Sequence, residues 1–169
     1  RPDTTQVYDL VTHFRKTIPD VVTLPEHFKA HGYHTQGLSK IYHGDLDDPK
    51  SWTVPHWKPG GSAYGKPETM AFVEQKRKRI LAQGGQVRDE VLERDAHGTP
   101  LKLKRVPLVR GPAWEDPDVA DNALNDGKTA DKAIEVLGQI KDKPFFLAVG
   151  FLKPHLPFNS PKTYWDLYD

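Results

Sequence analysis

Two basic clusters carry residue types suited to chemistry on an anion. Lys40 and His43 stand in Ser39-Lys40-Ile41-Tyr42-His43-Gly44, and Lys153 and His155 stand in Gly150-Phe151-Leu152-Lys153-Pro154-His155-Leu156-Pro157-Phe158. Lysine offers a compact positive charge to the oxygens of a sulfate or phosphate. Histidine titrates near neutrality, so it can give a proton to the oxygen that leaves when an ester is cleaved. Pro154 and Pro157 fix φ and bias the residues before them to extended backbone, which presets the imidazole between them. Two such Lys/His pairs brought together would form a pocket for a tetrahedral anion or its monoester.

The elements that must position these clusters can be read from local pattern. Thr23 is a good N-cap, Pro25 suits a first turn and Gly32 a stop, so Leu24–His31 is expected to be a short helix. Tyr33–Lys40 follows as a strand. Later, Ala130, Ala133, Ile134, Leu137 and Ile140 recur at helical spacing behind Thr129, which is expected to cap that helix. Asp142-Lys143-Pro144 ends it, and Phe145–Phe151 is apolar on both faces, as a covered central strand would be. Both basic clusters therefore follow strand exits, where open α/β sheets bind ligands. Ser160-Pro161 opens a further helix running toward Asp169.

The remaining stretches are plainer. A short helix is expected around Val7–Arg15. Glu68–Gln83 has helical composition and carries the run Gln75-Lys76-Arg77-Lys78-Arg79, read as a solvated face. Val87–Arg94 and Leu101–Val106 flank the turn Asp95-Ala96-His97-Gly98 and resemble a hairpin, and residues 111–127 are extended and acidic. Asp45-Leu46-Asp47-Asp48 lacks the spacing of a calcium loop and is read as a solvated turn. Trp52, Trp57 and Tyr64 are read as packing under a long loop. His27 and His31 lie four apart on a helix without an evident third ligand, so packing or exposure is expected there.

Composition sets bounds. The 169 residues suffice for one domain with a core, at 37% hydrophobic and 28% charged. A net charge of +1 gives no ground for a nucleic-acid or membrane-surface partner. No apolar run reaches the roughly 20 residues of a membrane-spanning helix. There is no Cys, which excludes disulfides and a cysteine nucleophile within this sequence. The opening Arg1-Pro2-Asp3-Thr4-Thr5 has neither an initiator Met nor a leader, so the chain is read as part of a longer protein.

Several stretches, in order over nearly the whole chain, resemble the sulfatase family in its iduronate-2-sulfatase-like branch. They are Arg1-Pro2-Asp3-Thr4-Thr5 with Tyr8-Asp9, then Thr23 to Lys29 with Gly32-Tyr33, then Lys40-Ile41-Tyr42-His43 with Asp48 and Ser51-Trp52. Asp118 to Ala133 follows, and last Pro144 to Gly150 through Lys153-Pro154-His155-Leu156-Pro157-Phe158. Residues 66–110 diverge and are read as an insertion into a single catalytic domain that spans 1–169. The resemblance implies an alkaline-phosphatase-like α/β/α sandwich, here in part, and hydrolysis of sulfate esters of carbohydrate. It implies a formylglycine nucleophile and a divalent cation, usually calcium, with the nucleophile and the metal ligands outside this chain. Lys40 would contact sulfate and the formylglycine, His43 would hold the formylglycine hydroxyl, and His155 would contact sulfate or protonate the leaving oxygen. Lys153 matches the motif but is given no contact with sulfate, and Ser39 replaces the Gly common before Lys40. Partners implied are a sulfated carbohydrate and the remainder of the sulfatase chain, in a secreted, periplasmic or lysosome-like setting, with no nucleic acid or membrane. The 169 residues alone are expected to be inactive. The alternatives are a phosphatase or phosphodiesterase of the alkaline phosphatase superfamily, or a non-catalytic binder of sulfated glycans.

Overall fold

The computed structural model describes residues 1–44, 46–85, 87–94, 100–107 and 109–168, with 87–94 and 100–107 described as backbone. In chain order the elements are α1 (Pro2–Thr5), α2 (Leu24–Ala30), β1 (His34–Ser39), α3 (Pro67–Ala82), β2 (Val87–Arg94), β3 (Pro100–Pro107), β4 (Trp114–Glu115), α4 (Asn125–Ile140), β5 (Phe145–Gly150), β6 (Phe158–Asn159) and α5 (Lys162–Trp165). The chain divides into two compact units. Arg1–Lys58, Asp89–Lys104 and Ala133–Gly150 form the first, and Pro59–Arg88, Arg105–Lys132 and Phe151–Asp169 the second.

The first unit is built on a parallel pair, β1 beside β5, in register from His34 opposite Phe145 to Ser39 opposite Gly150. α2 feeds β1. The Thr23 hydroxyl accepts from the Glu26 N–H, and the Glu26 carboxylate accepts from the Thr23 N–H, a reciprocal cap that satisfies two orphan donors. Phe28 of α2 packs its ring on Phe146 of β5 at 4.9 Å between centroids. The other side of β1 is covered by residues 53–57. The Thr53 N–H donates to Thr35 O, the Trp57 N–H to Gly37 O and the Ser39 N–H to Trp57 O. Leu38, Trp52, Val136 and Ile140 form the buried apolar core here.

The second unit carries a short parallel pair, β4 beside β6, with Trp114 opposite Phe158 and Glu115 opposite Asn159. The buried Glu115 carboxylate takes the N–H groups of Gly65 and Lys66, and the Asn159 amide donates to Ala63 O at 2.6 Å. These bonds tie the 63–66 loop to the pair. α3 buries none of its residues, in keeping with its basic, polar composition. Among the described residues no helix is long and apolar enough to cross a membrane.

Several expectations are corrected. No helix spans Val7–Arg15. The Asp9 carboxylate accepts from the N–H groups of Val11 and Thr12, which holds a turn, and only a single 3-10 turn at Phe14–Lys16 follows. Thr129 does not cap α4, which begins at Asn125. Thr129 lies fully buried inside the helix, and its hydroxyl donates back to Asn125 O at 2.8 Å. The helix after Ser160-Pro161 is one turn, α5. β2 and β3 pair with each other as expected of a hairpin. Its turn at 95–98 lies outside the described residues.

Candidate functional site

Lys40 is placed by close backbone packing at the exit of β1. Its N–H donates to Gly150 O at 3.0 Å. A Cβ at Gly150 would stand 1.9 Å from the Lys40 carbonyl oxygen, so only glycine lets the end of β5 come this near. Ser39, just before, is buried and holds φ 62°, a left-handed conformation that costs a non-glycine residue on the order of 1 kcal/mol. The chain leaves the strand there. Lys40 is half-buried, and its ammonium donates to Tyr42 O at 3.1 Å. His43, one residue beyond Tyr42, is exposed.

The loop carrying His43 hangs from a buried ionic network. Arg15 donates Nε to one Asp48 carboxylate oxygen at 2.6 Å and Nη2 to the other at 2.8 Å. Nη2 also reaches Glu26 at 2.7 Å, and Nη1 reaches Pro19 O and Val21 O, both at 2.9 Å. All five guanidinium protons thus have acceptors. Arg15 is 2% exposed and Asp48 0%. The hydrogen bonding that Arg15 donates to Asp48 is the main cause that raises the guanidinium pKa above its ordinary value, against desolvation. The Ser51 hydroxyl gives its one proton to Asp48, so the Thr23 and Tyr42 hydroxyls, at 2.6 and 2.9 Å, donate to it. Burial raises the Tyr42 phenol.

Asp47 joins the same frame. Burial pushes its carboxylate up, but the His56 ring nitrogen at 2.8 Å and the Trp52 indole N–H at 3.1 Å outweigh it and hold the pKa below the usual value. His13 accepts the Arg15 N–H on Nδ1, so its Nε2 is the protonated nitrogen that donates to Asp47 O at 2.8 Å. The expectation of a solvated turn at 45–48 is therefore corrected for Asp47 and Asp48; Asp45 lies outside the described residues. A run of carboxylates looks solvated in isolation, but Asp48 is matched by an arginine more than thirty positions away.

The Lys153–Phe158 segment lines a cleft of about 590 Å³ in the second unit, together with Asp126, Leu152, Tyr164 and Trp165. Both oxygens of Asp126, in the first turn of α4, accept backbone protons, from Leu152 at 2.8 Å and from Lys153 at 2.9 Å. The His155 N–H closes a turn onto Leu152 O at 2.9 Å. The His155 side chain is exposed, and Nδ1 lies 2.6 Å from Leu156 O. A carbonyl only accepts, so Nδ1 carries the proton and Nε2 is the nitrogen turned to other partners. The Lys153 ammonium donates to Pro157 O at 2.7 Å. Desolvation lowers its pKa, with the charge of Asp126 acting in the opposite direction. The bonds Lys153–Pro154 and Leu156–Pro157 are both cis. Lys40 and His43 thus belong to the first unit, Lys153 and His155 to the second.

The sulfatase family model matches residues 3–169, which takes in both basic segments. The chain belongs to the sulfatase family. It is 30% identical to the iduronate 2-sulfatases of Homo sapiens and Mus musculus over 176 residues, which cover 99% of this chain and 27% of each relative. It is 26% identical to a sulfatase of Formosa agariphila over 174 residues, covering 99% of this chain and 30% of that protein. The chain therefore spans about a quarter of the length of the curated relatives it matches.

The family implies a metal ion and a formylglycine. Among the described residues no group of three or more His, Cys, Asp or Glu side chains could hold a metal ion, so none fits the metal, and no cysteine stands in the sequence to become the formylglycine. What sequence reasoning missed are the supports: Arg15, His13 and His56 under the Lys40–His43 loop, and Asp126 under the His155 loop. Asp48 and Asp126 fall in family-like stretches, which is the one signal that pointed at them. Arg15 sits in an aperiodic segment and offers no local signal.

Proposed function

We propose that the protein carrying this chain is a sulfuric ester hydrolase acting on sulfated carbohydrate, and that this chain contributes three of its working side chains. The observation that carries the reading is the sulfatase family match, which runs through both basic segments. Lys40 supplies positive charge to the sulfate oxygens, and His43 supplies a hydrogen bond to the group that attacks sulfur. His155, protonated on both ring nitrogens for this step, gives the Nε2 proton to the ester oxygen as the S–O bond breaks and keeps its Nδ1–H, so the sugar departs as an alcohol and water completes the sulfate. The Nδ1–H contact to Leu156 O supports this role, because it keeps one ring proton on the loop carbonyl and leaves Nε2 as the nitrogen that takes up and gives the second. Lys153 stays out of contact with sulfate, supported by its ammonium's bond to Pro157 O.

The finer reading rests on the relatives. An alkaline-phosphatase-like α/β/α sandwich agrees with the parallel β1–β5 pair and the helices beside it. The name of two relatives, iduronate 2-sulfatase, points to a sulfated uronide of a glycosaminoglycan as substrate. Calcium and formylglycine belong to this reading as groups held elsewhere in the protein. So does a secreted, periplasmic or lysosome-like location, and so does residues 66–110 being an insertion in one catalytic domain. The test is kinetic. In the full-length protein, His155→Ala is expected to lower kcat for sulfate release by about 10²-fold, the scale of losing a placed acid, and Lys153→Ala far less. The reverse order would overturn the assignment.

A further inference from the structure

We propose that Asp126 is a positioning residue for His155: from the first turn of α4 it clamps the base of the turn on which His155 stands. This deepens the reading above and rests on it. The clamp takes both carboxylate oxygens. One accepts from the Leu152 N–H at 2.8 Å and the other from the Lys153 N–H at 2.9 Å, two consecutive amides just upstream of His155. Bonds to an ionised acceptor are about twice as strong as neutral ones, and a planar carboxylate across two amides fixes direction as well as distance.

The position is carried forward to the imidazole. Leu152, held through its N–H, offers its carbonyl to the His155 N–H at 2.9 Å, which closes the turn. The Lys153 ammonium bonds Pro157 O at 2.7 Å on the far side of the turn, and Nδ1 of His155 bonds Leu156 O at 2.6 Å. The ring is thus held from its own loop, and the loop is held from Asp126.

The support itself is rigid. A Cβ at Gly127 would stand 1.9 Å from Asp121 O, so the first turn of α4 presses on the backbone of 121–122 as only a glycine permits. Thr129, fully buried, returns its hydroxyl to Asn125 O at 2.8 Å. Leu124 is buried immediately before the helix. A carboxylate on such a base moves little, which is what a group that aims a catalytic side chain needs.

The experiment is a double-mutant cycle in the full-length protein, reading sulfate release from a sulfated oligosaccharide. Asp126→Asn keeps the shape but turns one acceptor into a donor that faces an N–H. It is expected to lower kcat by about 10- to 100-fold, as a displacement of about 1 Å would, with KM changed less than about threefold. In a His155→Ala background the same substitution is expected to cost less than about twofold, because the side chain it aims is gone. An undiminished cost in that background means a general structural role and overturns the proposal, as does no loss in the single variant. If His155→Ala alone keeps full kcat, the reading of His155 fails and the clamp has nothing to aim. Should Asp126→Asn not accumulate folded, Asp126→Glu, which keeps the charge one methylene further out, is run through the same cycle. Its loss of kcat must likewise vanish with His155→Ala.

Discussion

Arg15 and Asp48 show how much of a site can rest on residues that never meet a ligand. The pair is sealed from water and bidentate, and Glu26, Ser51 and two carbonyls complete it. Removing one partner strands a buried charge, which costs far more than the pair itself contributes. Asp48→Ala is therefore expected to lower stability by about 3–5 kcal/mol, measured as a shift in the urea midpoint at unchanged slope. Replacing both members with apolar residues, Arg15→Met with Asp48→Leu, should recover most of that loss. A cost below about 1 kcal/mol for the single variant would show that water reaches the guanidinium. Nothing local in the sequence announces this pair, because an ion pair spanning so many positions has no periodicity. Lys40, His43 and His155 were chosen as candidates from local signals instead. His155 follows the apolar run Phe145–Phe151, where a polar residue stands out, and Lys40 and His43 were singled out by residue type at the end of a strand that is itself mostly polar.

At the scale of elements, what the sequence expressed was the rhythm of burial. α2 and β1 were readable because a cap, a proline and a glycine punctuate them, and α4 because its apolar positions recur at helical spacing. The boundaries failed where a side chain played an unexpected part. Thr129 has the chemistry of a cap, yet it bonds backwards from inside the helix. The contact between β5 and β1 was not readable at all, since parallel strands share no turn to set their register. Gly150 is where that register can be tested. Gly150→Ala places a methyl carbon against the Lys40 carbonyl, so the strand ends must part. A loss of about 1–3 kcal/mol is expected, the range for overpacking, together with weakened substrate binding through the displaced Lys40. An Ala variant that melts at the wild-type temperature would show that the two strand ends can slide apart freely.

For the molecule as a whole, open apolar surface is the dominant fact. Trp114, Phe151, Leu156, Phe158, Leu167 and Tyr168 are each about half exposed or more. β5 is paired along β1, and among the described residues no strand pairs with its other edge. Such an edge is a template for a second chain. Expressed alone, these 169 residues are expected to self-associate, visible by light scattering behind size exclusion. A monomer with a sharp, reversible melt would contradict this. The order of the chain adds a consequence in time. β1 is made early, but its partner β5 follows only after roughly a hundred more residues, and closing so long a loop must precede the first bond of the pair. A ribosome adds about 5–20 residues each second, so β1 waits on the order of 5–20 s with one side bare. Residues 53–57, which come off the ribosome almost at once and lie along the other side of β1, are then its first companion: a sheath that shields the nascent strand until its true neighbour arrives.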